Sequence, residues 1–320
     1  MHPSDMIVVD GLHKSYKDLQ VLNGISFSVR RGTILALLGP NGAGKTTTIR
    51  ILSTLLLPSG GRATINGFDV VEEADKVRET IGLTGQYTAV DEYLTGAENL
   101  YMMGRLYHMD KGEIRRKAAE LLDALDLADA AKRPVRTYSG GMRRRLDLAA
   151  SLIASPPVIF LDEPTTGLDP PSRIEIWDMI ERLAKEGTTI LLTTQYMDEA
   201  DRLAHDIVVI DGGKVIAEGT PHELKRRIGS ERMELVFPKG IDLQKAKAAI
   251  GMRGAQVDLN KRTLTITTKG GVHELKQAMA SLERAKIEAE NISLHKPTLD
   301  DVFLTLTGHL ATQEEKGGKK

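Results

Sequence analysis

The chain has no cysteine, no long apolar run and no excess of charge of one sign. The missing cysteine excludes disulfides, thiolate metal sites and a cysteine nucleophile, and it fits a reducing cytoplasm. No stretch approaches the roughly 18 apolar residues of a membrane-spanning helix, and the opening MHPSDMIVVD lacks the apolar core of a signal peptide. With 43 Lys and Arg against 44 Asp and Glu, the formal charge is -1, so no nucleic acid partner is expected.

What the chain does contain is typical of a soluble globular protein with about two domains, since 41% of its 320 residues are hydrophobic and 27% are charged. Residues 6–230 alternate apolar β-rich runs with amphipathic helical stretches, which predicts an α/β domain with a mainly parallel sheet. The expected strands are 25–29, 33–38, 158–161, 188–194 and 206–210. From about 90 to 155 the pattern is helical, which predicts a helical subdomain inserted into the sheet domain.

After residue 230 the pattern changes. Residues 231–310 give the element order β-α-β-β-α-β, which predicts a small ferredoxin-like α+β domain. Residues 311–320 show no apolar periodicity and are expected to form a disordered tail.

A phosphate-binding loop is predicted in LLGPNGAGKTT, residues 37–47, which matches the pattern G-x-x-x-x-G-K-[ST] between a predicted strand and a predicted helix. Glycines allow backbone N–H groups to surround phosphates at the positive end of a helix. Lys45 is expected to reach the β- and γ-phosphates and Thr46 to bind Mg²⁺. The residues assigned to nucleotide binding here are Gly39, Pro40, Asn41, Gly42, Ala43, Gly44, Lys45, Thr46 and Thr47.

Two carboxylates follow the apolar strand in VIFLDEP, residues 158–164. If this strand is the neighbour of the phosphate-loop strand, Asp162 lies on the Mg²⁺ side of the site. Glu163 could then polarise a water for attack on the γ-phosphate as a general base. A solvated turn is the ordinary alternative, and the phosphate loop upstream argues against it.

A second anion site is predicted at the start of the helix in YSGGMRRRLDLAASLI, residues 138–153. Ser139, Gly140 and Gly141 offer free N–H groups and a small hydroxyl. One nucleotide does not need two such cradles from one chain, so we expect a head-to-tail homodimer in which these residues close over the γ-phosphate held by Lys45 of the other copy. The alternatives are a simple glycine-rich N-cap and, for Arg143–Arg145, a solvated face.

These motifs resemble those of the nucleotide-binding subunits of ABC transporters. The resemblance covers about residues 6–230 and rests on GPNGAGKTT, YSGG, VIFLDEP and TGLD in the family's order. It implies binding of ATP and Mg²⁺, with Tyr16 stacking on adenine, Gln86 contacting Mg²⁺ or the attacking water, and Asp169 communicating across the dimer. The alternatives are strand-edge packing for Tyr16, a polar loop residue for Gln86 and a helix N-cap for Asp169.

Within that family, residues 81–100 and the ending PTLDDVFLTLTG resemble the daunorubicin-resistance type. This implies an ATPase at the cytoplasmic side of the cell membrane that drives a separately encoded integral membrane permease, with export of drugs or other amphiphiles. The permease is expected to dock near Gln86 and residues 87–105. Tyr138 and Met142 replace the usual Leu and Gln beside the glycines, and we expect altered packing rather than lost binding.

Gln195 stands where ABC ATPases usually place a histidine, in TTQYMDEA. Strand 188–194 is expected to lie beside the VIFLDE strand, so that its end points at the γ-phosphate. An amide can donate to a phosphate oxygen but cannot become a cation or shuttle a proton. We therefore assign Gln195 a catalytic role beside Lys45 and Glu163, with slower intrinsic hydrolysis.

Two other functions remain open from the sequence. One is a soluble ABC-type ATPase acting on ribosomes or DNA, against which stand the single cassette, the absence of sustained heptads and the lack of basic excess. The other is a nucleotide-gated sensor with little turnover, which only kinetics separates from a transport ATPase.

Overall fold

The computed structural model describes residues 5–85, 89–228, 231–252, 254–268 and 271–306. The chain divides into two compact units, Met1–Pro221 and His222–Lys320. The boundary expected from the sequence, between residues 230 and 231, lies a little further along the chain and stays a prediction.

The first unit contains a six-stranded sheet, a four-stranded antiparallel sheet and a set of helices. Its strands are β1 (Asp5–Tyr16), β2 (Leu19–Arg30), β3 (Ile34–Leu38), β4 (Gly60–Ile65), β5 (Phe68–Asp69), β6 (Ile81–Thr84), β7 (Val158–Asp162), β8 (Thr189–Thr194), β9 (Asp206–Asp211) and β10 (Lys214–Gly219). Its helices are α1 (Lys45–Leu52), α2 (Ala74–Thr80), α3 (Gly96–Leu106), α4 (Lys111–Ala124), α5 (Gly140–Leu152), α6 (Pro170–Lys185) and α7 (Met197–Leu203), and α8 (Pro221–Ile228) begins at the unit boundary.

The six-stranded sheet has the order β10-β9-β3-β8-β7-β6, with parallel pairing from β9 to β6 and an antiparallel hairpin of β9 and β10. This confirms the expected mainly parallel sheet. All residues of β3, β7 and β8 are buried, as the unbroken apolar runs ILALL of β3 and VIFL of β7 indicate for those two strands. One expectation was wrong: β7 is not the neighbour of β3, because β8 lies between them.

The stretch 25–29 belongs to β2, which is part of the four-stranded sheet of order β2-β1-β4-β5 and not of the parallel sheet. Buried and exposed residues alternate along the second half of β2. Such alternation is typical of an antiparallel strand with one face on the core and one face in solvent. The alternation of apolar and polar residues in the sequence of β2 therefore distinguishes this antiparallel strand from the buried strands of the parallel sheet.

The helical region between β6 and β7 consists of α3, α4, α5 and two short 3₁₀ helices, Ala128–Ala130 and Val135–Thr137. A capping box formed by Thr95 and Glu98 starts α3. In α4 and the residue that follows it, the apolar side chains repeat at helical spacing and most of them are buried. The buried ones are Ile114, Ala118, Leu122 and Leu125.

The part of the second unit that follows α8, residues 231–295, has the predicted element order β-α-β-β-α-β. Its elements are β11 (Glu231–Val236), α9 (Leu243–Ile250), β12 (Gln256–Asp258), β13 (Thr263–Thr268), α10 (Val272–Arg284) and β14 (Asn291–His295). The sheet order β12-β13-β11-β14, antiparallel throughout, places the first and third strands in the centre, as in a split βαβ fold. In the described part of the chain, no helix is both long and apolar enough to cross a bilayer.

Candidate nucleotide-binding and hydrolysis site

The phosphate loop connects the buried strand β3 to α1 at the carboxyl edge of the six-stranded sheet. Gly44 precedes the helix with a φ of 107° and has no side chain to cap it. A Cβ at Gly44 would lie 2.5 Å from the Leu22 Cδ2, and a Cβ at Gly39 would collide with the Ile210 carbonyl oxygen. Only glycine fits these two places, and the first-turn N–H groups of α1 are left for an anion.

Lys45 begins α1 and only 4% of its surface is exposed. Its Nζ donates to the carbonyl oxygens of Gly39 at 2.8 Å and Pro40 at 3.1 Å, and lies 3.5 Å from the Glu163 Oε1. Burial lowers the pKa of the ammonium, and the neighbouring carboxylates of Glu163 and Asp162 oppose that shift. The Lys45 ammonium thus binds carbonyl oxygens of the phosphate loop itself. The oxygens of a bound phosphate would compete with these two carbonyls for its N–H groups.

Asp162 ends β7 and its Oδ1 accepts hydrogen bonds from two hydroxyls. The Thr46 Oγ1 lies 3.2 Å from it and the Thr193 Oγ1 lies 2.6 Å from it. Strand β8 lies between the phosphate-loop strand β3 and the Asp162 strand β7, and it contributes Thr193 to the site. A hydroxyl and a carboxylate oxygen at this spacing suit Mg²⁺, which takes few protein ligands together with substrate phosphates. The structure brings Thr46 and Asp162 together, and their role as Mg²⁺ ligands stays a prediction.

Glu163 follows Asp162 with a φ of 50°, a left-handed conformation that is uncommon for a residue with a side chain. Its N–H donates to the carbonyl oxygen and the Oγ1 of Thr193, both at 3.1 Å. Its Oε2 accepts from the Thr166 Oγ1 at 3.3 Å. These contacts direct the carboxylate toward Lys45 at the phosphate loop, and the role of Glu163 as a general base stays a prediction.

Ser139 and the two glycines lie at the start of α5. The Ser139 Oγ accepts from the Met142 N–H at 3.2 Å, so the serine is an N-cap. A Cβ at Gly140 would meet open space, whereas one at Gly141 would lie 2.8 Å from the Ser172 Oγ. In the described residues, no hydrogen bond or ion pair joins this segment to the phosphate loop of the same chain.

The other predicted site residues are spread over several elements. Tyr16 ends β1 and is 45% exposed, with the Lys14 Nζ 5.0 Å from its ring centroid. Asp169 precedes α6, and hydrogen bonding from Ser172 lowers its pKa. Gln195 is half-buried directly after β8, two residues beyond Thr193. Gln86 lies outside the described residues, and the assigned roles of all four stay predictions.

Two residues of this site were missed by the sequence analysis. Thr193 is one: its position opposite Asp162 follows from the β7–β8 register, which the sequence pattern does not contain. The other is Arg144, which was interpreted only as part of a solvated face but is 8% exposed. Tyr138 is buried and donates to the Ala130 carbonyl oxygen at 2.7 Å, in agreement with a packing role.

This combination of a phosphate loop, two carboxylates after a parallel strand and a helical region before it defines a phosphate-loop ATPase of the cassette type. The ABC transporter family model matches residues 22–166, and the C-terminal domain model of DrrA1-3-like ATP-binding proteins matches residues 219–307. The chain belongs to the family of ABC transporter ATP-binding proteins.

Curated relatives match over nearly the whole chain. The chain is 52% identical to the daunorubicin resistance ATP-binding protein DrrA3 of Streptomyces coeruleorubidus, over 94% of this chain and 96% of the relative. It is 48% identical to the daunorubicin/doxorubicin resistance ATP-binding protein DrrA of Streptomyces peucetius, over 97% and 94%. The linearmycin resistance ATP-binding protein LnrL of Bacillus subtilis is 34% identical, over 95% and 98%.

Solved structures agree with the fold. An ATP-binding subunit of an ABC transporter matches with a TM-score of 0.64 and 28% identity, over 75% of this chain and 97% of that one. A dimeric ATP-binding cassette in a post-hydrolysis state, bound to ADP and Pi, matches with a TM-score of 0.62 and 26% identity, over 67% and 98%. These similarities do not favour a ribosomal or DNA-directed ATPase.

Proposed function

We propose that this chain is the ATP-hydrolysing subunit of an exporter, and that it energises a separately encoded integral membrane permease from the cytoplasmic side of the cell membrane. The observation that carries the proposal is the cluster of Lys45, Thr46, Asp162 and Glu163 at one edge of the sheet. The names of the relatives support export of drugs or other hydrophobic and amphiphilic compounds.

Each group in the cluster has one task in hydrolysis. Lys45 binds the β- and γ-phosphates, and Thr46 and Asp162 would hold Mg²⁺, with Gln86 as a further ligand. Bound Mg²⁺ would neutralise charge on the phosphates. Glu163 takes a proton from the attacking water, and Gln195 donates an amide N–H to a phosphate oxygen. Tyr16 stacks on the adenine ring.

A homodimer completes the site. The start of α5 presents an exposed Ser139 and Gly140 with open space beside them, and nothing in the described part of the same chain links them to Lys45. In the second copy they would contact the γ-phosphate, while Asp169 would communicate across the interface. ATP then holds the two copies together, and loss of the γ-phosphate releases them.

The permease would dock in an apolar groove between β6 and the helical region. A cavity of about 290 Å³ lies there, next to the segment from which the sequence analysis expected docking. Four polar residues line it, and the apolar ones are Leu55, Ile81, Leu83, Ala89, Met103, Tyr107 and Ala150. Leu55 is 66% exposed, so a permease that docks here would cover this apolar side chain.

The test is affinity purification of the tagged chain from detergent-solubilised membranes, followed by ATPase assays on the captured complex with a panel of hydrophobic cations. We expect one stoichiometric membrane protein and a turnover that rises with some of the compounds. The Glu163→Gln variant is the control, since it should capture the same partner without stimulated turnover. Absence of a membrane partner would contradict the proposal, and a flat response across a broad panel would count against drug export.

A further inference from the structure

Arg144 is the middle residue of three consecutive arginines in α5, and it differs from its neighbours. It is 8% exposed, whereas the side chain of Arg143 is 35% exposed and pairs with Glu92 at the surface. Burying a guanidinium is costly unless its N–H groups are bonded and its charge is balanced. The position of Arg144 therefore needs a reason that a solvated face does not provide.

The guanidinium of Arg144 donates to four backbone carbonyl oxygens. Nε lies 2.8 Å from the Pro164 oxygen, and Nη2 lies 3.1 Å from the Asp162 oxygen and 3.2 Å from the Glu163 oxygen. Nη1 lies 2.6 Å from the oxygen of Gly85. Three of these acceptors are consecutive and belong to the turn in which Glu163 has its left-handed φ of 50°.

Asp147, one helical turn further along α5, balances the charge. Its Oδ2 lies 3.6 Å from the Arg144 Nη1, and its Oδ1 accepts from the Ala89 N–H at 2.7 Å. Burial raises the pKa of Asp147 to about 6, which the nearby guanidinium opposes. Arg144 and Asp147 thus connect α5 to two segments. One is the turn 162–164, called the carboxylate turn below, and the other is the pair Gly85 and Ala89, which lie on either side of residues 86–88 in the sequence.

We propose that Arg144 is a positioning residue for ATP hydrolysis: it holds the turn 162–164 in the conformation that directs the Glu163 carboxylate toward the attacking water. This inference rests on the proposed role of Glu163 as the general base. A planar fork with five N–H donors can bind all four carbonyls at once. The ammonium of lysine keeps the charge but not the fork, and the amide of glutamine keeps two donors but not the charge.

The substitution Arg144→Lys should lower kcat without raising the KM for ATP, because no described contact joins Arg144 to the phosphate loop. A small misplacement of a reacting group costs on the order of 10- to 100-fold in rate, and we expect a loss of kcat in that range. Arg144→Gln should behave similarly. Arg143→Lys, in the same helix, is the matched control and should leave kcat unchanged.

The decisive measurement is single-turnover hydrolysis of radiolabelled ATP in the wild-type and Glu163→Gln backgrounds. If Arg144 acts through Glu163, Arg144→Lys should change the residual rate of Glu163→Gln by less than about twofold, since residues that act as a unit are non-additive. Equal losses in both backgrounds, an unchanged wild-type kcat or a change confined to KM would overturn the proposal. If neither Arg144 variant folds, as judged by thermal unfolding, the proposal is also overturned, because Arg144 then has a structural role.

The same assay separates this inference from the proposed function. If wild-type protein hydrolyses ATP and Glu163→Gln does so equally well, Glu163 is not the base and the proposed mechanism is wrong. If Glu163→Gln hydrolyses ATP far more slowly than wild type while Arg144→Lys matches wild type, the mechanism stands and only the role of Arg144 is wrong.

Discussion

The starts of α1 and α5 are both rich in glycine, and they differ in what surrounds them. At α1 the loop is enclosed: a Cβ at Gly44 would collide with the Leu22 side chain, and Lys45 is buried against two loop carbonyls and Glu163. At α5 the cap is provided by Ser139, and Gly140 faces open space. In the proposed mechanism the start of α1 holds the phosphates within one chain, and the start of α5 closes over the γ-phosphate of the second copy.

The substitutions Gly44→Ala at α1 and Gly140→Ala at α5 distinguish phosphate binding within one chain from closure by the second copy. We expect the larger loss of stability and of ATP binding from Gly44→Ala. Gly44→Ala forces a side chain into a φ of 107° beside Leu22, which costs on the order of 1–3 kcal/mol in backbone strain alone. We expect lower thermal stability and lost ATP binding. Gly140→Ala should leave the stability and ATP binding of the monomer unchanged. Its hydrolysis should fall on the order of 100-fold, since displacing one N–H donor from a phosphate has about that cost.

Calorimetric titration with a non-hydrolysable ATP analogue, thermal unfolding and steady-state ATPase assays distinguish the two variants. Wild-type turnover in Gly140→Ala would mean that the start of α5 is only a helix cap. Weaker binding of the analogue by monomeric Gly140→Ala would contradict the proposed division of roles between the two helix starts. It would mean that the starts of α1 and α5 contact the same nucleotide within one chain.

The amide after β8 should have the smallest effect. Removing its side chain in Gln195→Ala deletes about one hydrogen bond, on the order of 1 kcal/mol or roughly fivefold in turnover. Gln195→His should raise turnover, because an imidazole can carry a positive charge near the γ-phosphate. ATP binding should be the same in both variants. If the turnover of both variants equals that of wild type, Gln195 is only the residue that ends β8, and hydrolysis does not need its side chain.

The enclosed site was largely predictable from the sequence. Its residues are contiguous in two short motifs, and their chemistry follows from residue type and spacing, as for Lys45, Thr46, Asp162 and Glu163. The position of β8 between β3 and β7 was not predictable in this way. Parallel strands joined by helices can be ordered in several ways without any change in their hydrophobic pattern.

The arginine run illustrates a second limit. Three charged residues in succession at the start of a helix must point in different directions, at about 100° per residue. Which of them faces the interior depends on the elements packed against that face. Here the carboxylate turn and Gly85 provide carbonyl acceptors for Arg144, and neither segment is near it in the sequence. Residues 231–295, by contrast, have an element order that the local strand and helix patterns predicted correctly.

The shared site of the proposed homodimer is the central claim, and size exclusion chromatography of Glu163→Gln with ATP and Mg²⁺ tests it most directly. Replacing the carboxylate with an amide removes the general base but keeps the side-chain shape, so bound ATP should persist between two copies. We predict a dimer with ATP and a monomer with ADP, and a monomer with ATP when Gly140→Ala is added. A Glu163→Gln protein that binds ATP and still elutes only as a monomer would contradict the claim.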